Sequence, residues 1–119
     1  MTEVITRPSY RDLDGNFAFG LLRPLTLEMG IRDRRWITSA DRPELGKWIE
    51  CKIGMAASTC DLTVRLSEWD LFDVTISKTR RTKAGRVTTV LVQMLDVYNE
   101  DLTKRLLSAW MQLCNEKGW

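Results

Sequence analysis

Ser58-Thr59-Cys60-Asp61-Leu62-Thr63-Val64-Arg65-Leu66-Ser67-Glu68-Trp69 decides the fold, because this stretch carries two periods at once. Leu62, Leu66 and Trp69 recur at four- and three-residue steps, the spacing of one face of an α-helix. Ser58 then reads as an N-cap, with Asp61 as a first-turn acid that favours the positive end of the helix dipole. The same residues also alternate: Leu62, Val64 and Leu66 against Thr63, Arg65 and Ser67, the period of a strand with one buried face. If the run is a strand, the chain is a meander of antiparallel strands with a helix packed on one face.

The segment upstream has the same double character. Asp41-Arg42-Pro43-Glu44 has the form of a helix start: an acceptor for unpaired N–H groups, a proline with no early N–H to lose, and a glutamate at capping-box spacing. Leu45, Trp48, Ile49, Ile53 and Ala56 follow at three- and four-residue steps, and Gly54 can end a helix with a positive φ. Against this, Ile49, Cys51, Ile53 and Met55 alternate as on a strand. The helical phase predicts two helices joined by a short turn, the sequence form of a helix-turn-helix.

Downstream, Phe72, Val74 and Ile76 alternate with Asp73, Thr75 and Ser77, and Val90, Val92 and Met94 alternate with Thr89, Leu91 and Gln93. Ala84-Gly85 lies between them, so a β-hairpin is expected. Its tip carries Lys78, Arg80, Arg81, Lys83 and Arg86 and no acid, a block of one sign suited to an anionic partner or simply to solvent.

The flanks are expected to complete one domain over 1–119: an irregular arm over 1–16 closed by a turn at Asp14-Gly15, a core over 17–97, and a C-terminal helix over 98–119. Phe17 to Ile31 is dense in apolar residues and predicts helix in two pieces joined at Pro24. Arg32-Asp33-Arg34-Arg35 reads as a basic surface cluster, and Trp36-Ile37-Thr38 as a brief strand. Asn99 is the expected cap of the last helix, whose stripe is Leu102, Leu106, Ala109, Trp110 and Leu113 with Leu107 and Cys114 at its margin. That stripe suits the domain's own core or a homodimer through the C-terminal helix.

Composition narrows the chemistry. With 44% hydrophobic and 29% charged residues the chain is of ordinary globular type, and a net charge of +2 says little about partners. There is no histidine, and Cys51, Cys60 and Cys114 are widely spaced, so neither a metal site nor a disulfide framework is expected. No triad, phosphate loop or paired carboxylates appear, so no enzyme and no cofactor are expected. No stretch has the length of a membrane span or an h-region, which predicts a cytoplasmic protein with free thiols.

Taken in order, helix, short strand, helix, the Ile53-Gly54-Met55-Ala56 turn, helix and basic hairpin resemble the winged helix-turn-helix domain of prokaryotic transcription regulators, broadly MarR-like, over Trp36 to Met94. The resemblance implies an α+β winged helix-turn-helix fold with a long basic wing and a C-terminal helix, and double-stranded DNA as partner. It places Ser58, Thr59, Thr63 and Arg65 in the major groove, with Arg65 toward guanine, and Lys78, Arg80, Arg81, Lys83 and Arg86 on phosphates or in the minor groove. The function implied is a small prokaryotic, phage or plasmid transcriptional regulator. A second expectation comes from the five tryptophans: a small α+β interaction or inhibitor protein of phage type that docks on another protein without binding DNA.

Overall fold

The computed structural model describes residues 7–119; residues 1–6 of the expected arm lie outside the described residues. The order is α1 (Gly15–Leu22), a 3-10 turn, α2 (Thr26–Met29), β1 (Arg32–Thr38), a 3-10 turn, β2 (Lys47–Ile53), a 3-10 turn, β3 (Cys60–Leu66), β4 (Phe72–Thr82), β5 (Gly85–Val97) and α3 (Asn99–Lys117). The five strands form one antiparallel sheet whose spatial order is their chain order.

The winged helix-turn-helix is therefore overturned, since both segments expected as its helices are central strands. β3 pairs with β2 from Ile53↔Cys60 to Ile49↔Val64, and with β4 from Asp61↔Ser77 to Leu66↔Phe72. Burial follows the two-residue period: Cys60, Leu62 and Val64 are each 1% exposed, whereas Trp69, which the helical phase would bury, is 76% exposed. Ile49, Cys51 and Ile53 are buried on the same side of β2. The hairpin explains the preference. Two strands alone are marginal in water, and Phe72, Val74 and Ile76 need neighbours in the same plane. β-branched and alternating segments next in the chain extend that plane and satisfy its backbone hydrogen bonds.

The local helix signals find other uses. Asp41 to Glu44 leads only into a 3-10 turn at Pro43–Leu45, which Gly46 ends. Gly54 has a positive φ of 75°, but it reverses the chain between β2 and β3; its N–H donates to the Met29 carbonyl at 2.7 Å, and a Cβ there would collide with the Ser58 carbonyl. Asp14-Gly15 starts α1, with the Asp14 carboxylate accepting from the N–H groups of Asn16 and Phe17 at 3.0 and 3.2 Å.

One side of the sheet is covered by helices. Pro24 divides the N-terminal helix as expected, and Ala18, Leu22, Leu25 and Met29 face the sheet's apolar side. α3 lays Leu102, Leu106, Trp110 and Leu113 on the same core, all 5% exposed or less, and the Thr103 hydroxyl donates to the Leu21 carbonyl at 2.9 Å. The expected dimer through this stripe loses its basis, because the stripe is spent on the chain's own sheet. Gly118 closes α3 in the left-handed conformation, and Tyr98, not Asn99, is the cap residue. Among the described residues no helix is long and apolar enough to cross a membrane.

β5 departs from the expected alternation. Ile76 pairs with Val92 but Ser77 with Val90, so Leu91 is an extra residue in a bulge and Val90 faces the opposite side from Val92. β4 loses its β3 partner after Ser77, so Lys78–Thr82 and Gly85–Thr89 continue as a two-stranded ribbon closed by a turn at Lys83 and Ala84.

Candidate interaction surfaces

The helical side carries a groove left over after the core is filled. It encloses about 880 Å³ and is lined by Leu107, Trp110, Met111, Cys114 and Trp119, with Glu28, Gln112 and Asn115 at its rim. Leu107, Met111 and Cys114 stand at i, i+4 and i+7, one helical row beside the core stripe, where Leu107 and Cys114 are half-buried against the core and Met111 faces outward. Met111 is 61% exposed, and nearby on α2 Leu27 is 94% exposed. Trp119 folds back on Trp110 with ring centroids 6.0 Å apart, while its N–H donates to the Cys114 carbonyl at 2.8 Å. The last residue thus becomes a wall of the groove.

Lys78 joins this groove to the ribbon. Its ammonium lies 4.7 Å over the Trp119 ring and donates to the Ala57 carbonyl. By alternation from buried Ile76, Lys78 and Arg80 face the helical side, and the register brings Thr89 and Val87 beside them. Lys78 thus stands at the Trp119 end of the groove, and Arg80 and half-exposed Val87 follow it on the same side of the ribbon.

The other side of the sheet is polar and divided. At one end, residues 7–11 run along it as a strap before the chain enters the core at Leu13: Tyr10 N–H donates to Glu44 O, Arg11 N–H to Leu66 O and Leu13 N–H to Lys47 O. Buried Asp73 anchors the strap, accepting from Arg7 Nε at 2.5 Å, Arg7 Nη2 at 3.2 Å, Tyr10 Oη at 3.0 Å and the Asp96 N–H at 3.1 Å. Asp73 raises the Arg7 guanidinium above its usual range, and burial raises the Tyr10 phenol. Beneath the strap Arg65 lies 4.0 Å over the Trp48 ring and 5.2 Å from that of Tyr10. Burial lowers its pKa, and its Nη1 has no hydrogen-bond partner among the described residues. At the other end is a cleft of about 490 Å³ lined by charged and hydroxyl side chains, including Arg35, Glu50, Lys52, Asp61, Arg81 and Arg86.

The expected DNA-contacting residues do not form one surface. Ser58 closes a turn, its hydroxyl donating to the Met55 carbonyl and accepting from the Met55 N–H. Thr59 accepts from Arg32 at 3.3 Å, and Arg65, expected at a guanine, is packed under the strap. Lys78 and Arg80 face the helical side, Lys83 sits in the turn, and only Thr63, Arg81 and Arg86 come together, in the polar cleft. With no recognition helix to be followed by a wing, the double-stranded DNA partner and the regulator function are withdrawn. Met111 was not singled out by the sequence, although its place between Leu107 and Cys114 was a signal. Trp119 could be read as an anchor only through the tryptophan count.

Cys51 and Cys60 are buried free thiols, with burial pushing that of Cys51 up to about 12, and Cys114 borders the groove. No group of metal-binding side chains occurs among the described residues. Comparison with protein-family models, with curated proteins and with solved structures finds no match in any of the three.

Proposed function

We propose that this chain is a protein-interaction module that acts by binding, seating an amphipathic helical segment of a partner protein in the α3 groove. The observation that carries the reading is the junction at Lys78 and Trp119, which sets a cationic ledge, Lys78 followed by Arg80, at the end of the apolar floor. Tryptophan and methionine walls suit such a partner: tryptophan gives large rigid contact area, and methionine adapts to the shape it meets. Burying a Leu or Met side chain of the partner contributes about 1.5–3 kcal/mol, so several such anchors together with the charged contacts are needed to exceed the entropy lost on association. The ledge selects the orientation, because acidic residues at one end of the segment lie beside Lys78 and Arg80 and basic ones are repelled. A cytoplasmic setting is part of the proposal, supported by the free thiols.

The test is site-specific photocrosslinking in the cell of origin, with p-benzoylphenylalanine placed at Met111 in one chain and at Val87 in another. The expected result is the same partner captured from both positions, through an apolar segment ending in acidic residues, with capture at Val87 lost when Met111→Glu is added. Capture of different proteins, of other copies of this chain only, or of nothing would overturn the reading.

A further inference from the structure

The polar cleft lies on the side of the sheet away from the groove and asks for a different ligand. Arg81 and Arg86 are direct register partners on adjacent strands, and both line the cleft. Like charges directly opposite each other in a sheet destabilise it, and neither guanidinium has an ion-pair partner among the described residues. The next rung inward is Thr79 and Thr88, whose hydroxyls are 2.9 Å apart, followed by Ser77 beside Asp61 and, a level farther in, Thr63 beside Glu50. The two other cations of the cleft are already matched: Arg35 stands 3.6 Å from Glu50, and Lys52 is paired with Asp61. Two unpaired arginines therefore stand at one end, and two carboxylates with a ladder of hydroxyls occupy the rest.

We propose that this cleft binds a small phosphorylated polyhydroxyl compound, with the phosphate between Arg81 and Arg86 and the hydroxylated remainder along Thr79, Thr88, Ser77 and Asp61. A phosphomonoester carries about −1.5 to −2 charges and three acceptor oxygens at neutral pH, which matches a pair of forked donors with a hydroxyl rung behind them. The carboxylates decide the rest of the molecule. Glu50 and Asp61 are matched by Arg35 and Lys52, so this end of the cleft has no unpaired cation to hold a second phosphate, and the remaining lone pairs of Asp61 accept from neutral hydroxyls. Ser77 is four residues from Arg81 along β4, about 13 Å of strand, with the Thr79–Thr88 rung between them, a span that a sugar phosphate and the two arginine side chains cover together as far as Ser77 and Asp61. A volume of about 490 Å³ falls within the usual range for small-ligand sites.

The proposal does not depend on the groove and is tested on the free full-length chain by titration calorimetry, with ribose 5-phosphate, inorganic phosphate and ribose as probes. Ribose 5-phosphate is expected to bind about tenfold or more tightly than inorganic phosphate, and ribose alone not to bind. The double variant Arg81→Gln, Arg86→Gln should weaken ribose 5-phosphate by about tenfold or more while melting at the wild-type temperature or above. Lys83→Gln, in the turn beyond the cleft, should leave binding unchanged. Equal affinity for the two phosphate probes, failure of both to bind, or an equal loss from Lys83→Gln would overturn the assignment, the last by showing only diffuse attraction to the cationic tip.

Discussion

Replacing Asp73 with alanine should release the strap from the polar side of the sheet at a cost set by the four hydrogen bonds its carboxylate accepts. Its side chain is 5% exposed, so the hydrogen bonds from Arg7, Tyr10 and the Asp96 amide are not readily replaced by water. Removing one partner of a buried charged pair usually costs about 3–5 kcal/mol. The lower end applies here, because Arg7 is 23% exposed and keeps Asp96 at 2.6 Å. A loss of about 3 kcal/mol follows. For a domain of 119 residues the unfolding entropy is about 250 cal/mol/K, so Tm should fall by about 12 °C. Asp96→Ala removes a half-exposed carboxylate and places alanine at a φ of 57°, so it should cost about 1–2 kcal/mol, or about 4–8 °C. Thermal and urea unfolding followed by tryptophan fluorescence measure both. If Asp73→Ala costs under 1 kcal/mol, or no more than Asp96→Ala, the strap is not held as described.

The strand assignment of β3 predicts a cost at Val64, which the helical phase leaves off the apolar face: Val64→Ala should cost about 1.5–3 kcal/mol in urea unfolding and Thr63→Ala under about 0.5 kcal/mol. Gly54→Ala should destabilise by about 2 kcal/mol or more by the same measurement, since a positive φ and a collision with the Ser58 carbonyl both oppose a Cβ. Iodoacetamide labelling followed by mass spectrometry should find Cys114 modified in the folded protein at pH 8 and Cys51 protected until unfolding, because burial shields the Cys51 thiol and pushes its pKa up to about 12.

The hairpin was legible in the sequence because Phe72, Val74 and Ile76 permit one period only, and Pro24 marked the break in the N-terminal helix for steric reasons. Residues 41–69 were not, because Leu62 and Leu66 satisfy a helical step of four and a strand step of two equally well. Val64 separates the two readings: it lies on the apolar face of a strand and off the apolar face of the helix. What settled the matter is long-range: the exposed edge of the hairpin at β4 needed a partner, and no window of local sequence contains that need. The caps misled for a related reason, since Asp41, Pro43 and Gly54 serve tight turns between strands as well as helix ends. The groove was half legible, with Leu107 and Cys114 visible at the margin of the α3 stripe. Joining Trp119 to Lys78 depends on a contact between the chain's end and the ribbon.

The central claim is that a partner occupies the α3 groove, and methionine methyl groups report on it most directly. With 13C-methyl methionine in the full-length chain, the partner captured at both Met111 and Val87 is added while methyl spectra are recorded. Met111 lines the groove, Met29 is 1% exposed in the core and Met94 is partly buried against that core. Saturable movement of the Met111 resonance, with Met29 and Met94 nearly still, is the result the account predicts. A still Met111 resonance under saturating partner would contradict it.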